Sequence, residues 1–323
     1  MIACLGSFKP QFFMMRLTII GFGNQAMAWS QNLRDSGFPF RVALLPDSHS
    51  FVKTKNFGIE TVIIGSKEFY EDKAFVLLIP DHAHESFMNQ YAASFTPGSL
   101  VIYNHGFSIT KNKFNETFPK LNHLLFAVKA IGSEIRTQFL AKGKLGAVYS
   151  MEYASDKEEV FNWLQSMSKA LGINIGLFKT TFKHETQADL FSEQGLLCSL
   201  IPYTADLMFR ELVAQGIEPE LAYLECWHEL KLIVNAMVDK GPAGFYDLIS
   251  PNALIGSEKG YNKLITPEFK SNLNNLLTDI QNNQFDQELD KANLKELRET
   301  ITNRWKASPL DQTFNKLNQE PLK

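Results

Sequence analysis

From Arg16 onward the chain alternates short apolar runs with stretches of helical period. LTIIGFG (17–23) is an apolar run that ends in glycines. NQAMAWSQNLRDSG (24–37) then sets Ala26, Trp29 and Leu33 at helical spacing and stops at Gly37. FRVALLP (40–46) is a second apolar run, closed by Pro46. Similar runs follow at 61–65, 74–80, 99–105, 123–129, 147–153 and 173–182, and the helical VFNWLQSMSKALG (160–172) separates the last two. Nearly continuous apolar strands with helices between them predict a parallel sheet covered on both faces. After about Thr181 the texture changes to long helical segments over 184–216 and 219–241, with Gly241 as the stop of the second. Residues 267–305 are again helical but strongly polar, as expected of helices that wrap the outside.

Bulk composition narrows the function only by exclusion. A chain of 323 residues, 45% hydrophobic and 21% charged, can build two domains with their own cores. A net charge of -3 gives no attraction for nucleic acid or an acidic membrane surface. Cys4, Cys198 and Cys226 are widely spaced and form no CxxC pair, which suits a reducing cytoplasm. Cys226 is expected to be a buried thiol rather than a metal ligand. No run reaches the roughly 18 apolar residues of a membrane span. The opening residues lack a basic segment and are broken by Lys9 and Pro10, so 1–15 is expected to be a loosely attached extension and not a signal peptide; Met14 or Met15 is an alternative start.

Two constellations carry chemistry. Gly21-Phe22-Gly23-Asn24-Gln25-Ala26 is a G-x-G-x-x-A loop between the first strand and the first helix. Its glycines allow a tight turn and close approach of a pyrophosphate, and the helix N-terminus stabilises the phosphate charge. At the end of the second strand, Asp47 offers an acceptor for a ribose hydroxyl, while Ser48 and Ser50 offer donors to a 2′-phosphate. No arginine lies in that loop, and His49 and Lys53 are its nearest cations, so the choice between NAD and NADP stays open on these residues. The second constellation is a pair of carboxylate pairs, Asp189 with Glu193 and Glu225 with Glu229, each four apart and therefore on one helix face. Solvated helix faces explain either pair alone. Their aromatic, apolar surroundings and their position after a nucleotide domain favour a pair of Mg²⁺ ions. His184 and His228 flank the pairs and are expected at the surface or behind the ligands.

These segments resemble ketol-acid reductoisomerases of the short, class I form. GFGNQAMAWSQNLRDSG is similar to that family's GYGSQGHAHALNLRDSG, and NHGFSI (104–109) to its AHGFNI. FKHETQADLFSEQGLLC is similar to FKEETETDLFGEQAVLC, and ELAYLECWHELKLIV to PELAYFECLHELKLIV, and the likeness runs from about Leu17 to about Ile280. The resemblance implies an N-terminal Rossmann-type domain over 16–182 and an all-helical, knotted domain over 183–323 that brings metal, substrate and a second subunit together. It implies conversion of 2-acetolactate or 2-aceto-2-hydroxybutyrate to a 2,3-dihydroxy-3-alkyl acid for branched-chain amino-acid synthesis. NADPH is the implied hydride donor, with NADH not excluded, and the two Mg²⁺ ions fall to Asp189, Glu193, Glu225 and Glu229. His105 and Lys129 fall on the family's active-site histidine and lysine, and Ser250 on the serine that contacts the substrate carboxylate. An obligate dimer with active sites shared between subunits is implied as well.

The chain departs from the family around these points. APKGPGH is here Ala127-Val128-Lys129-Ala130-Ile131-Gly132-Ser133, and SDTAEYG is Ser250-Pro251-Asn252-Ala253-Leu254-Ile255-Gly256. Leu45 stands where the cofactor loop usually has arginine, and Ala26 replaces a third glycine. Two further readings follow from the departures: a paralogue acting on another 2-keto acid, and a catalytically silent nucleotide-binding dimer.

Overall fold

The computed structural model describes residues 15–319. The extension read over 1–15, apart from Met15, and Cys4 lie outside the described residues. Met15 itself packs on the core, and its carbonyl accepts from Trp163 Nε1 at 3.1 Å. The chain divides into two units, Met1–Thr186 and Gln187–Lys323.

In the first unit, β1 (Leu17–Ile20), α1 (Asn24–Asp35), β2 (Phe40–Leu44), α2 (Ser50–Asn56) and β3 (Thr61–Ile63) are followed by β4 (Ala74–Leu77), α3 (Asp81–Tyr91) and β5 (Leu100–Tyr103). Then come α4 (Phe107–Asn112), α5 (Phe114–Thr117), β6 (Asn122–Val128), α6 (Gly132–Ala141), β7 (Gly146–Tyr153), α7 (Lys157–Leu171) and β8 (Gly176–Lys179). Helix α8 (Phe182–Ser192) starts here and runs across the division. The eight strands order as β3-β2-β1-β4-β5-β6-β7-β8. Strands β1 to β6 are parallel, with Leu17 opposite both Phe40 and Ala74.

The all-parallel expectation fails at β7, which runs antiparallel to β6 with Val128 opposite Ala147; β8 follows β7 in parallel. The cause is local. The chain leaves β6 at Val128, makes an out-and-back excursion through α6, and re-enters the sheet at the end it left, where Lys129 N donates to Gly146 O at 3.0 Å. β8 is also shorter than the run at 173–182, because Gly176 has a φ of +155° and Phe182 already begins α8.

Apolar residues on successive positions of each strand serve opposite faces of the sheet. One face packs Leu17, Ile19, Trp29, Phe126, Trp163 and Leu164 with α1, α6 and α7. The other packs Ile20, Phe69, Phe75, Phe95, Tyr103 and Phe182, with the Phe75 and Phe95 rings stacked at 4.2 Å. The strand N-termini are tied by buried Asp72, which accepts from Arg41 Nε at 2.6 Å, from Arg16 Nε at 3.0 Å, and from the Thr18 hydroxyl.

The second unit is helical. It contains α9 (Leu200–Ala214), α10 (Pro219–Tyr223), α11 (Glu229–Tyr246), α12 (Pro251–Leu264), α13 (Pro267–Gln281), α14 (Gln284–Lys291), α15 (Leu294–Lys306) and α16 (Pro309–Gln319). The segment read as one helix over 184–216 is broken. α8 passes into a π-helical turn over Glu193–Leu197, and α9 restarts after Ser199. A second π-helical turn, Leu224–His228, joins α10 to α11. Gly241 interrupts α11 with φ 72° and ψ 172°, followed by Pro242, so its role as a stop is a kink instead. Residues 267–305 are helical as expected, and Asn283, at φ +58°, separates α13 from α14 within them. The small core of this unit gathers Phe209, Ala222, Tyr223, Cys226 and Leu310. Among the described residues, no helix is long and apolar enough to cross a membrane.

Candidate active site

The nucleotide loop sits at the C-terminal end of β1, where β1 lies between β2 and β4 and the sheet order reverses direction. Gly21 has a φ of +89°, and a Cβ there would lie 2.6 Å from Ile79 Cγ2 and 3.2 Å from Leu78 O. Conformation and space therefore both require glycine. A Cβ on Gly23 would meet nothing within 4 Å, so this side of the loop is open to a ligand. The first turn of α1 carries no acidic side chain, which keeps its N-terminus favourable to phosphate. Asn24 is exposed and Gln25 half-buried at that turn. Phe22 is buried, with its ring tilted against that of Phe57. Gly132, at the start of α6, closes on the loop so tightly that a Cβ would fall 2.7 Å from Asn24 C and O.

A cavity of about 610 Å³ opens beside this loop, lined among others by Gly21, Leu45, Asp47, Ser48, Pro80 and Tyr91. Ser48 reaches it, whereas Ser50 does not line it and starts α2 with its amide on Ser48 Oγ at 3.3 Å. A smaller recess of about 170 Å³ is lined by Gln25, Ile79, Pro80, His84, Asn104 and His105. Buried His84 accepts at Nδ1 from Ser108 Oγ (2.7 Å) and donates from Nε2 to Ile79 O (3.0 Å). Desolvation holds its imidazole below the usual histidine range, which keeps it neutral and suits that tautomer.

The centre of the site is a residue that sequence reasoning passed over. Glu185, on the first turn of α8, is only 3% exposed. Its Oε1 accepts from Lys129 Nζ at 2.6 Å and its Oε2 from the Gly106 amide at 2.6 Å. His105 Nε2 lies 3.7 Å from Oε2, beyond hydrogen-bonding range but within electrostatic reach. The expected His105 and Lys129 thus converge on one carboxylate at the ends of β5 and β6. Gly106 is required, since a Cβ there would run into Phe182 O and lie 2.6 Å from Thr186 Oγ1. The available signal was a stripe at i, i+4, i+8, Glu185-Asp189-Glu193, of which only the last two were singled out.

In the helical unit, Asp189 is half-buried and Glu193, Glu225 and Glu229 are exposed. Glu193 opens one π-helical turn; Glu225 lies in the other, and Glu229 directly follows it. Such turns insert a residue into a helix and recur at functional sites. Among the described residues, no cation pairs with Glu225 or Glu229, and no three of the four carboxylates approach within 4.8 Å. His184 and His228 are exposed, and Cys226 is buried with its thiol pushed up, first by desolvation and then by Glu225. Ser250 caps α12, its Oγ accepting from Ala253 N at 3.2 Å.

Residues 14–176 match the family model for the acetohydroxy acid isomeroreductase NADPH-binding domain, and residues 182–320 that for the ketol-acid reductoisomerase C-terminal domain. The chain belongs to the ketol-acid reductoisomerase family. It is 32% identical over 290 residues to a ketol-acid reductoisomerase (NADP(+)) of Pseudarthrobacter chlorophenolicus, covering 88% of this chain and 84% of the relative. It is likewise 32% identical over 273 residues to one of Sulfurimonas denitrificans, covering 84% and 80%. The solved structure of an NADH-preferring ketol-acid reductoisomerase from an uncultured archean shares the fold, with a TM-score of 0.85 at 24% identity, covering 98% and 97% of the two chains. Ketol-acid reductoisomerase activity, a step of branched-chain amino-acid biosynthesis, is the function of this family and of this chain. The Rossmann-like sheet followed by a helical domain is the reductoisomerase architecture.

Proposed function

We propose that this chain rearranges and reduces 2-acetolactate and 2-aceto-2-hydroxybutyrate, with two Mg²⁺ ions and a reduced nicotinamide dinucleotide, as a cytoplasmic homodimer. The observation that carries this reading is the buried Glu185 carboxylate, held at both oxygens by Lys129 and Gly106 beside the nucleotide loop. In the first stage an alkyl group moves from the carbinol carbon to the neighbouring ketone carbon, the carbinol oxygen gives up its proton, and the former ketone oxygen takes one up. In the second stage a hydride reduces the ketone so formed.

Glu185 keeps lone pairs beyond its two bonds and can take the hydroxyl proton. An ammonium carries three N–H donors, so Lys129 can hold Glu185 and donate to a substrate oxygen as its charge grows. His105 supplies a second polar group on the same carboxylate. Ser250 Oγ accepts from the Ala253 amide, which leaves its O–H free to donate to a substrate carboxylate.

Asp189, Glu193, Glu225 and Glu229 would hold the metal. An all-oxygen donor set suits Mg²⁺, and three of the four being exposed lets the ions keep part of their water shell. Bound there, the ions would polarise the ketone and hydroxyl oxygens. Two observations support a second subunit completing the quartet. No three of these carboxylates gather within one described chain, and α11 buries no residue although it carries Leu232, Val234, Met237 and Val238. We assign Asp189 and Glu193 to one protomer's site and Glu225, Glu229 and Ser250 to its partner's contribution.

The test is acetolactate turnover with NADPH and NADH in parallel, with and without Mg²⁺. Mg²⁺-dependent dinucleotide oxidation is expected, and it should be lost in Glu193→Gln and Glu229→Gln. A retained rate in either variant overturns the assignment.

A further inference from the structure

We infer that His84 is a positioning residue for the reaction, bracing the strand end behind the nucleotide loop against the turn that carries His105 and Gly106. The inference rests on reading the Lys129-Glu185-Gly106 network as the reacting centre.

His84 belongs to α3, is 1% exposed, and engages both ring nitrogens with neighbours from different parts of the site. On one side Nε2 donates to Ile79 O, in the link between β4 and α3. That link backs the nucleotide loop, because Ile79 Cγ2 and Leu78 O crowd the space beside Gly21. The Leu78 amide donates to Ile20 O at 3.2 Å, which fixes the link to the end of β1. On the other side Nδ1 accepts from Ser108 Oγ, in the first turn of α4. Gly106, directly ahead of α4, donates its amide to Glu185 Oε2. One imidazole thus joins the nucleotide half of the site to its carboxylate half, and it lines the recess between Gln25 and His105.

α4 needs such a support. It has six residues, and Gly106 offers it no side-chain cap. A helix this short is not stable by itself in water, so what it packs against sets its position. Phe107, Ser108 and Ile109 are its buried residues. Apolar packing is non-directional, whereas the bond from Ser108 to His84 fixes a distance and an angle.

The protonation state of the ring gives the brace its polarity. Burial outweighs the Asp81 carboxylate, whose Oδ1 lies 3.8 Å from Nδ1, and holds the imidazole neutral. A neutral ring that donates from Nε2 has an acceptor at Nδ1, and the Ser108 hydroxyl is the donor it faces. Ser108 stands where the family's AHGFNI has asparagine, so the brace belongs to this chain's own sequence.

The consequence for the reaction is geometric. A misplacement of about 1 Å in a reacting group can cost about 10²-fold in rate. The Gly106 amide holds Glu185 Oε2, so freedom in that turn becomes freedom in the carboxylate.

The experiment compares Ser108→Ala, which cuts one arm of the brace, with His84→Phe, which cuts both and keeps a ring. Acetolactate kinetics, dinucleotide affinity by calorimetry and backbone amide exchange are measured on the full-length protein with Mg²⁺. Ser108→Ala should lower kcat at least about tenfold, with KM for acetolactate and dinucleotide Kd within about threefold of the original. His84→Phe should lower kcat about 10²-fold and also weaken dinucleotide binding at least about threefold, through Ile79. Amides of residues 105–109 should exchange at least about tenfold faster in both variants. An unchanged kcat in Ser108→Ala overturns the inference. So does an equal loss of kcat, substrate affinity and dinucleotide affinity, which marks a purely structural role. If the unaltered protein binds dinucleotide but does not turn over acetolactate, the substrate reading fails on its own. Faster exchange at 105–109 then sustains the brace, and unchanged exchange overturns it.

Discussion

The two units solve the same packing problem differently. The sheet unit covers both faces of its strands with its own helices, and large side chains such as Trp29, Trp163, Phe75 and Phe126 are fully buried within it. The helical unit leaves α11, α12, α14 and α15 without a single buried residue, and its core is the small cluster around Phe209 and Tyr223. A helix as apolar as α11, with Leu232, Ile233, Val234 and Met237 at the surface, is built to be covered. The sheet unit therefore carries a site that one chain can assemble, the Lys129-Glu185-Gly106 network and the nucleotide loop. The helical unit carries the four carboxylates proposed to hold metal, no three of which come within 4.8 Å of one another among the described residues.

This contrast can be broken experimentally. Its most demanding test is Glu185→Gln, which keeps the shape of the side chain but removes the proposed proton acceptor of the sheet unit. We expect kcat to fall by about 10²- to 10⁴-fold with dinucleotide affinity within about twofold of the original. A rate close to that of the unaltered protein would show that the network is structural. A smaller total effect is expected from Val234→Asp on α11. It should weaken self-association at least about tenfold by light scattering and remove catalysis, while dinucleotide binding survives in the monomer. A fully active monomer would refute the shared site.

Gly21→Ala probes the sheet unit at its tightest turn. The left-handed conformation alone costs about 1–2 kcal/mol for an L residue, and the approach to Ile79 adds to it. The expected result is weaker dinucleotide binding, with dimerisation unchanged. The smallest effect concerns pH. Desolvation holds His84 and His123 below the usual histidine range, so the unfolded chain takes up protons first on acidification. Their contribution to stability is complete above about pH 6.5 and is lost as pH falls from there toward the folded values. Thermal melting of the full-length protein between pH 7.5 and 5.5 should show a shallower slope for His84→Gln. An identical slope would assign the acid sensitivity elsewhere.

How much of this was legible in the residues follows the same division. The eight apolar runs became eight strands, most plainly β1, β2, β4, β5 and β6, where burial on both faces writes itself into consecutive apolar positions. The reversal at β7 was not legible, since a strand has the same composition in either direction and the deciding event is the return of the chain after α6. The glycine loop was readable because only glycine satisfies both the φ and the space at position 21. Glu185 was harder to find. It matters through contacts to Lys129, 56 positions earlier, and to the amide of Gly106, 79 positions earlier, and neither partner announces itself locally. The π-helical turns were invisible for a related reason, as one extra residue in a helix leaves no compositional trace.

Those turns limit how the protein can vary. Each residue advances an α-helix by about 100°, so an inserted residue is also an angular correction carried by everything downstream. Loss of one residue from Leu224–His228 would restore an uninterrupted helix from Pro219 and rotate Glu229, together with the apolar stripe of α11, away from its present heading. The segment should then accept many exchanges of side chain yet reject any change of length. Its register fixes the headings of the Glu229 carboxylate and of the apolar stripe of α11 together.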